Sequence, residues 1–203
     1  MCKIGKNQSP IDISKKDITV TNGLDPLEFI YHADATEVIN NAHAIQVNVD
    51  SHSAMNIDGK HFILKQFHFH SPSENTINRR SFPLEAHFVH AAKDGSLAVI
   101  AVLYQLGDEN PALKKIFATM PKNVHKTNTL KLTANEIETL LPKDRSYYRF
   151  NGSLTTPPCS EGVRWFVLKT YQTISKEQLK QFTEVIKDNN RPTQPLNARK
   201  VLQ

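Results

Sequence analysis

The sequence predicts a mainly β fold with peripheral helices, one domain over residues 1–203 built on a large, mostly antiparallel sheet. Three observations lead there: seven short runs with strand-like apolar patterning, turn residues between them, and only three stretches with helix-start signals. The strand runs cover 27–31, 37–40, 43–49, 61–70, 85–92, 97–106 and 163–171. The run 97–106 is apolar almost throughout, as expected of a central strand buried on both faces. Asp58-Gly59 and Asp94-Gly95 supply turns. Asn110 precedes a proline at the first helical turn. Thr133 with Glu136, and Ser175 with Gln178, fit the capping box. After Ser175, the residues Leu179, Phe182, Val185 and Ile186 form an apolar stripe suited to packing on the sheet. Repeats, low-complexity tracts and linkers are absent from the sequence.

At 203 residues and 39% hydrophobic content, the chain can bury one substantial core. No apolar run approaches the ~20 residues that span a bilayer, and Met1-Cys2-Lys3-Ile4 opens without a signal-peptide core, so no membrane partner is expected. The net charge of +5 comes from scattered Lys and Arg, the pattern of a solvated surface and not of a nucleic-acid interface. The two cysteines, Cys2 and Cys159, read as buried free thiols if the chain is cytosolic.

Two segments carry the chemistry, Gln66-Phe67-His68-Phe69-His70 and Glu85-Ala86-His87-Phe88-Val89-His90. In a strand, residues two apart share a face. Gln66, His68 and His70 therefore line one face of the first segment, and Glu85, His87 and Val89 one face of the second. If these strands pair, His68, His70 and His87 meet. Three nitrogens with an open fourth position suit a catalytic zinc ion, whereas structural sites are closed by four protein ligands. Gln66 and Glu85 are in phase to accept ring N–H bonds and fix the ligand tautomers. An iron site with two histidines and a carboxylate would need Glu85 to displace an imidazole, which its strand phase does not require. His90 falls on the opposite face and reads as structural; His32, His52, His61 and His125 belong to no pattern.

The run from Gln66 to His90, with His70-Ser71-Pro72-Ser73-Glu74-Asn75 inside it, resembles the α-class carbonic anhydrases of bacterial type. Three more blocks agree in order: Gly5 to Ile13 (GKNQSPIDI), Asn151 to Gly162 (NGSLTTPPCSEG) and Asn190 to Asn197 (NRPTQPLN). The resemblance implies a twisted central sheet of about ten strands. It also implies Zn2+ on His68, His70 and His87, and reversible hydration of carbon dioxide to bicarbonate and a proton by zinc-bound hydroxide. Thr155 and Glu74 match the pair that aims the nucleophile, the buried carboxylate accepting the threonine hydroxyl proton. His43 matches the proton shuttle, with Asn41 and Gln46 as polar neighbours. Val89, Val99, Leu154, Thr156, Val163 and Trp165 match the substrate pocket, and Arg191 a structural residue beneath the site. Ser9-Pro10 and Pro157-Pro158 match positions of cis peptides.

The resemblance further implies a Cys2–Cys159 disulfide, worth roughly 3–5 kcal/mol in the chain-entropy model, and hence a periplasmic or secreted protein. It leaves room for a homodimer. The family's usual aromatic-rich amino-terminal segment has no counterpart here, Phe150 stands where tyrosine is frequent, and Arg79-Arg80 replaces a turn that usually holds glycine, so strain is expected there. Two alternatives stand beside the main reading: a non-catalytic carbonic-anhydrase-like binding module, and a weak zinc esterase.

Overall fold

The computed structural model describes residues 5–203. Its strands are β1 (Asp12–Ile13), β2 (Ile18–Thr19), β3 (Glu28–Ile30), β4 (Ala35–Asn40), β5 (Ile45–Val49), β6 (Ala54–Ile57), β7 (Lys60–His70), β8 (Thr76–Ile77), β9 (Leu84–Ala91), β10 (Leu97–Leu106), β11 (Lys126–Leu132), β12 (Tyr147–Ser153), β13 (Glu161–Leu168), β14 (Gln172–Ile174) and β15 (Val201–Leu202). The helices are α1 (Pro111–Thr119), α2 (Ala134–Thr139) and α3 (Lys176–Val185). Among the described residues, thirteen strands form one mixed sheet, ten of them on a continuous path β11-β4-β5-β7-β9-β10-β13-β12-β15-β2. Most neighbours run antiparallel, but β10 runs parallel to β13 and β14. The sequence run 163–171 is shorter as a strand than expected: β13 ends at Leu168, and a separate strand, β14, takes up the pairing with β10 from Gln172.

All three helices start where their caps predict. Asn110 accepts from the N–H groups of Ala112 and Leu113, and both capping boxes are complete. The helices cover one face of the sheet. There Phe67 and Phe69 of β7 meet Phe88 of β9, Phe117 of α1 and Phe182 of α3, with ring centroids 5.0 Å apart for Phe67–Phe88 and 5.5 Å for Phe69–Phe117. Each such ring pair adds roughly 0.5–1.5 kcal/mol beyond area burial. A second, smaller apolar cluster lies around Val99, Phe150, Val163, Trp165 and Ile11.

One irregularity in β7 decides which face the histidines occupy. Phe62 and Leu64 are buried in the larger core, and so are Phe67 and Phe69. Those two pairs have opposite parity. Strict alternation would put Gln66, His68 and His70 on the core face with Phe62 and Leu64. The pairing of β7 with β9 instead skips Lys65: Leu64 stands opposite His90, and Gln66 opposite Val89. This bulge admits one extra residue and re-phases the strand, so the phenylalanines return to the core and the histidines turn away from it.

Asp58-Gly59 closes the β6–β7 hairpin with both residues at positive φ. Cis peptides occur at Ser9-Pro10, Ser71-Pro72 and Pro157-Pro158, the middle one beyond the two expected from the sequence. Arg79 stands at φ 64° in the tight turn between Ile77 and Arg80, the left-handed backbone that glycine tolerates best. No helix among the described residues is long and apolar enough to cross a membrane.

Candidate metal centre

His68 of β7 lies directly opposite His87 of β9, and His70 opposite Glu85. One ring nitrogen from each of His68, His70 and His87 lies within 4.8 Å of the other two. Each remaining ring nitrogen has a polar oxygen within 3.1 Å. Gln66 Oε1 is 2.8 Å from His68 Nδ1, and the Asn189 carbonyl 3.1 Å from His70 Nδ1. Glu85 Oε1 is 3.0 Å from His87 Nε2, an ion-pair contact without hydrogen-bond geometry. These partners leave Nε2 of His68, Nε2 of His70 and Nδ1 of His87 to converge. His70 Nε2 and Glu74 Oε2 are buried and have no hydrogen-bond partner. A lone pair orphaned in this way is costly unless a cation or proton meets it. Three neutral nitrogen donors fit a divalent transition metal.

Electrostatics favour uncharged rings at two of the three positions. Burial, reinforced by the neighbouring His70 and His87 rings, holds the His68 pKa well below the ordinary imidazole value. Burial also lowers His70, outweighing the attraction of Glu74. At His87 burial works the same way, but the Glu85 carboxylate outweighs it and the pKa rises. Glu85 is itself the anchor of the second strand. Burial would raise its pKa, yet His87 and the hydrogen bonds from Asn75 hold it below the usual carboxylate value. Its Oε2 accepts from the backbone N–H groups of Glu74 and Asn75 at 2.7 and 2.8 Å, and its Oε1 from Asn75 Nδ2 at 2.7 Å.

Two cavities border the Thr155 loop beside the site. The apolar one, about 280 Å³, is lined by Val89, Leu97, Val99, Leu154 and Trp165 together with Gln66, His68 and His87. The polar one, about 370 Å³, is lined by His43, Glu74, Asn189 and Arg191 among others. Thr155 and Thr156 border both. Trp165 sits edge-on to His87 at 4.9 Å and stacks on Phe150 at 5.9 Å, while its indole N–H donates to the Ser153 carbonyl at 3.0 Å. Ser9 and Ser153 hold the base of the Thr155 loop by reciprocal hydrogen bonds of 2.9 and 3.1 Å. Gly152 is required there, because a Cβ would fall 2.0 Å from Ser9 Oγ.

A model of the eukaryotic-type carbonic anhydrase family matches residues 1–203. The chain belongs to the α-carbonic anhydrase family. It is 47% identical to the carbonic anhydrase of Neisseria gonorrhoeae over 206 residues, spanning all of this chain and 79% of that one. It is 46% identical to the carbonic anhydrase of Pectobacterium atrosepticum over 203 residues, spanning all of this chain and 82% of that one. The α-carbonic anhydrase from Thermovibrio ammonificans, solved with the inhibitor sulfanilamide, superposes with a TM-score of 0.95 at 51% identity, covering 100% of this chain and 89% of that one.

Several details of this carbonic anhydrase depart from the sequence expectations. Val163 does not line the apolar cavity; it is 1% exposed, packed in the cluster behind Val99 and Trp165. The Thr155 hydroxyl makes no hydrogen bond to Glu74 among the described residues. Glu74 Oε2 faces the ligand nitrogens instead, 3.6 Å from His70 Nε2 and 3.8 Å from His87 Nδ1, while its Oε1 accepts from the Arg191 N–H at 2.8 Å. Arg191 also binds Gln8 Oε1 and the Ser9 carbonyl at 2.9 and 2.7 Å beneath the site. The pairing expected of Cys159 falls on Cys2, outside the described residues. His43 lies exposed at the rim of the polar cavity, and Asn41 donates to Gln46 Oε1 at 3.1 Å.

Leu97, Asn75 and Asn189 join the site without having been singled out by sequence pattern. Leu97 shares strand parity with Val99, a signal that was available. Asn189 is 119 residues from His70, and no local pattern points to it.

Proposed function

We propose that this carbonic anhydrase interconverts carbon dioxide and bicarbonate plus a proton with zinc held by His68, His70 and His87. The observation that carries the reading is the convergence of three imidazole nitrogens whose ring partners lie beside the opposite nitrogens. Bound there, zinc supplies a Lewis acid that acidifies water, the property for which carbonic anhydrases are the reference case.

The chain's own residues do the rest. Neutral rings leave the charge of the cation undiminished, and Gln66, Asn189 and Glu85 keep each ring turned to it. Val89, Leu97, Val99, Leu154 and Trp165 offer a small, uncharged substrate an apolar wall. In this reading the Thr155 hydroxyl donates a hydrogen bond to Glu74 Oε2 in the loaded site. The Thr155 oxygen then presents only lone pairs to the cavity and orients an incoming O–H. His43 receives the released proton on its imidazole at the rim and passes it to buffer. Cys159, buried at the end of the Thr155 loop, suits a disulfide to Cys2, which fits an oxidising compartment outside the cytoplasm.

Metal analysis paired with a stopped-flow pH-indicator assay tests the core of the proposal. Wild-type protein should bind one zinc and hydrate carbon dioxide; His87→Ala should lose both together. Full activity in zinc-free His87→Ala would sink it.

A further inference from the structure

Asn189 touches both halves of the site. Its backbone carbonyl serves His70, as described, but its side chain looks elsewhere. The amide oxygen accepts from the Ser71 N–H at 2.9 Å, and the amide nitrogen donates to the carbonyls of Phe69 at 3.0 Å and His43 at 2.9 Å. One acceptor and both donors are thus in use, and the two donors bridge the ligand strand β7 to the loop between β4 and β5.

That loop needs holding. Ala42 stands at φ 74°, a conformation disfavoured for any residue with a Cβ. On its inner side, Asn41 Oδ1 accepts from the N–H groups of His43 and Ala44 at 3.0 and 2.8 Å. Asn41 is in turn oriented by a directed amide ladder: Asn41 Nδ2 donates to Gln46, Gln46 Nε2 to Asn48 at 2.8 Å, and Asn48 Nδ2 to Glu37 at 3.2 Å. Asn189 grips the same loop from the outside, through the carbonyl of His43 itself.

We propose that the Asn189 side chain is a positioning residue for proton release, fixing His43 at the rim relative to the ligand strand. This rests on the reading of His43 as the proton-releasing group. The chemistry of the position selects asparagine: aspartate would keep the bond from Ser71 but aim a carboxylate at two carbonyl oxygens, and alanine would free all three groups.

Two Asn189 variants, His43→Ala and one wild-type measurement test it. In Asn189→Ala and Asn189→Asp the backbone carbonyl on His70 remains, so turnover in weak buffer should fall further than zinc content or kcat/KM. Turnover in weak buffer should fall by about fivefold, because proton transfer is sensitive to sub-ångström placement, and excess imidazole should restore it. In the metal-free variants, amide hydrogen exchange at residues 42–44 should accelerate by at least about tenfold. In wild-type protein the Asn189 side-chain amide protons should exchange slowly, a reading that holds even if a variant folds poorly. Unchanged exchange at residues 42–44, or fast exchange of the wild-type side-chain amide, overturns the clamp. So does a parallel loss of zinc and kcat/KM, which would mean that Asn189 acts only through His70. His43→Ala separates the two layers: no buffer-rescued loss in that variant overturns the proton route, while exchange still reads the clamp.

Discussion

His68 and His87 face one another squarely across β7 and β9, ring centroids 5.3 Å apart and ring planes 86° to each other. This apposition depends on the β7 bulge, which absorbs the unpaired Lys65. Deleting Lys65 removes the surplus residue and puts Leu64 and Phe67 two apart, so strict alternation then keeps Phe62, Leu64, Phe67 and Phe69 on the core face and Gln66, His68 and His70 on the other. The deletion variant should therefore keep stoichiometric zinc, as should Lys65→Ala, which keeps the bulge. Metal analysis with a thermal melt followed by circular dichroism checks it; a deletion variant without zinc would show that the bulge does more than absorb the surplus residue.

His90 gives the fold an acid sensitivity separate from the metal. It is fully buried, its Nδ1 3.0 Å from the Phe88 carbonyl and its Nε2 2.9 Å from the Tyr31 hydroxyl. Burial pulls its pKa from 6.5 down to about 4. A base depressed in the folded state contributes its full stability above the unfolded pKa and loses it as pH falls toward the folded one. The window is therefore pH 6.5 to about 4, and the loss is at most about 3 kcal/mol. Urea titrations of the metal-free protein at several pH values should show this slope. The double variant Tyr31→Phe/His90→Leu should make it shallower, leaving the part that the depressed His68 and His70 contribute in the metal-free protein, and an equally steep double variant would assign the sensitivity elsewhere.

Arg79→Gly should stabilise the protein. Asn78 and Arg79 occupy the two central positions of a tight turn at φ 50° and 64°, closed by Ile77 N–H to Arg80 carbonyl at 3.1 Å and the reverse bond at 3.0 Å. Asn-Gly is the favoured pair in such a turn. The bond from Arg79 N–H to Asp12 Oδ1 is made by backbone and survives the change. The gain should be about 1 kcal/mol, or roughly 2–4 °C in Tm for a chain of this size. A lower Tm would mean that the arginine side chain contributes more than its backbone conformation costs.

His43→Ala should lower turnover in weak buffer by about tenfold or more and leave kcat/KM nearly unchanged. Added imidazole should recover the lost rate. Lack of recovery, with His68, His70 and His87 still loaded, would place the proton exit at another group.

Much of the sheet is legible in the sequence because a strand's two-residue period is a local property. Six of the seven apolar runs match the strands β3, β4, β5, β7, β9 and β10 closely, and the helix caps mark all three helices. The edge strand β11 escapes this reading because its first four residues are exposed and polar, leaving no alternation to detect. Strands β6 and β12 were likewise not picked out. β6 is too short for the period to declare itself, and β12 carries Gly152 where Ser9 crosses it.

By itself the chain determined the ligand types, their two-residue spacing and the phase of Gln66 and Glu85 with them, because neighbours along a strand are set by covalent geometry. Tertiary structure alone decided that Lys65 steps out of register, that Val163 packs behind the cavity, and that Asn189 reaches His43 and His70. Those outcomes depend on how distant strands and loops fill shared volume and satisfy each other's polar atoms, a competition that no short window of residues records.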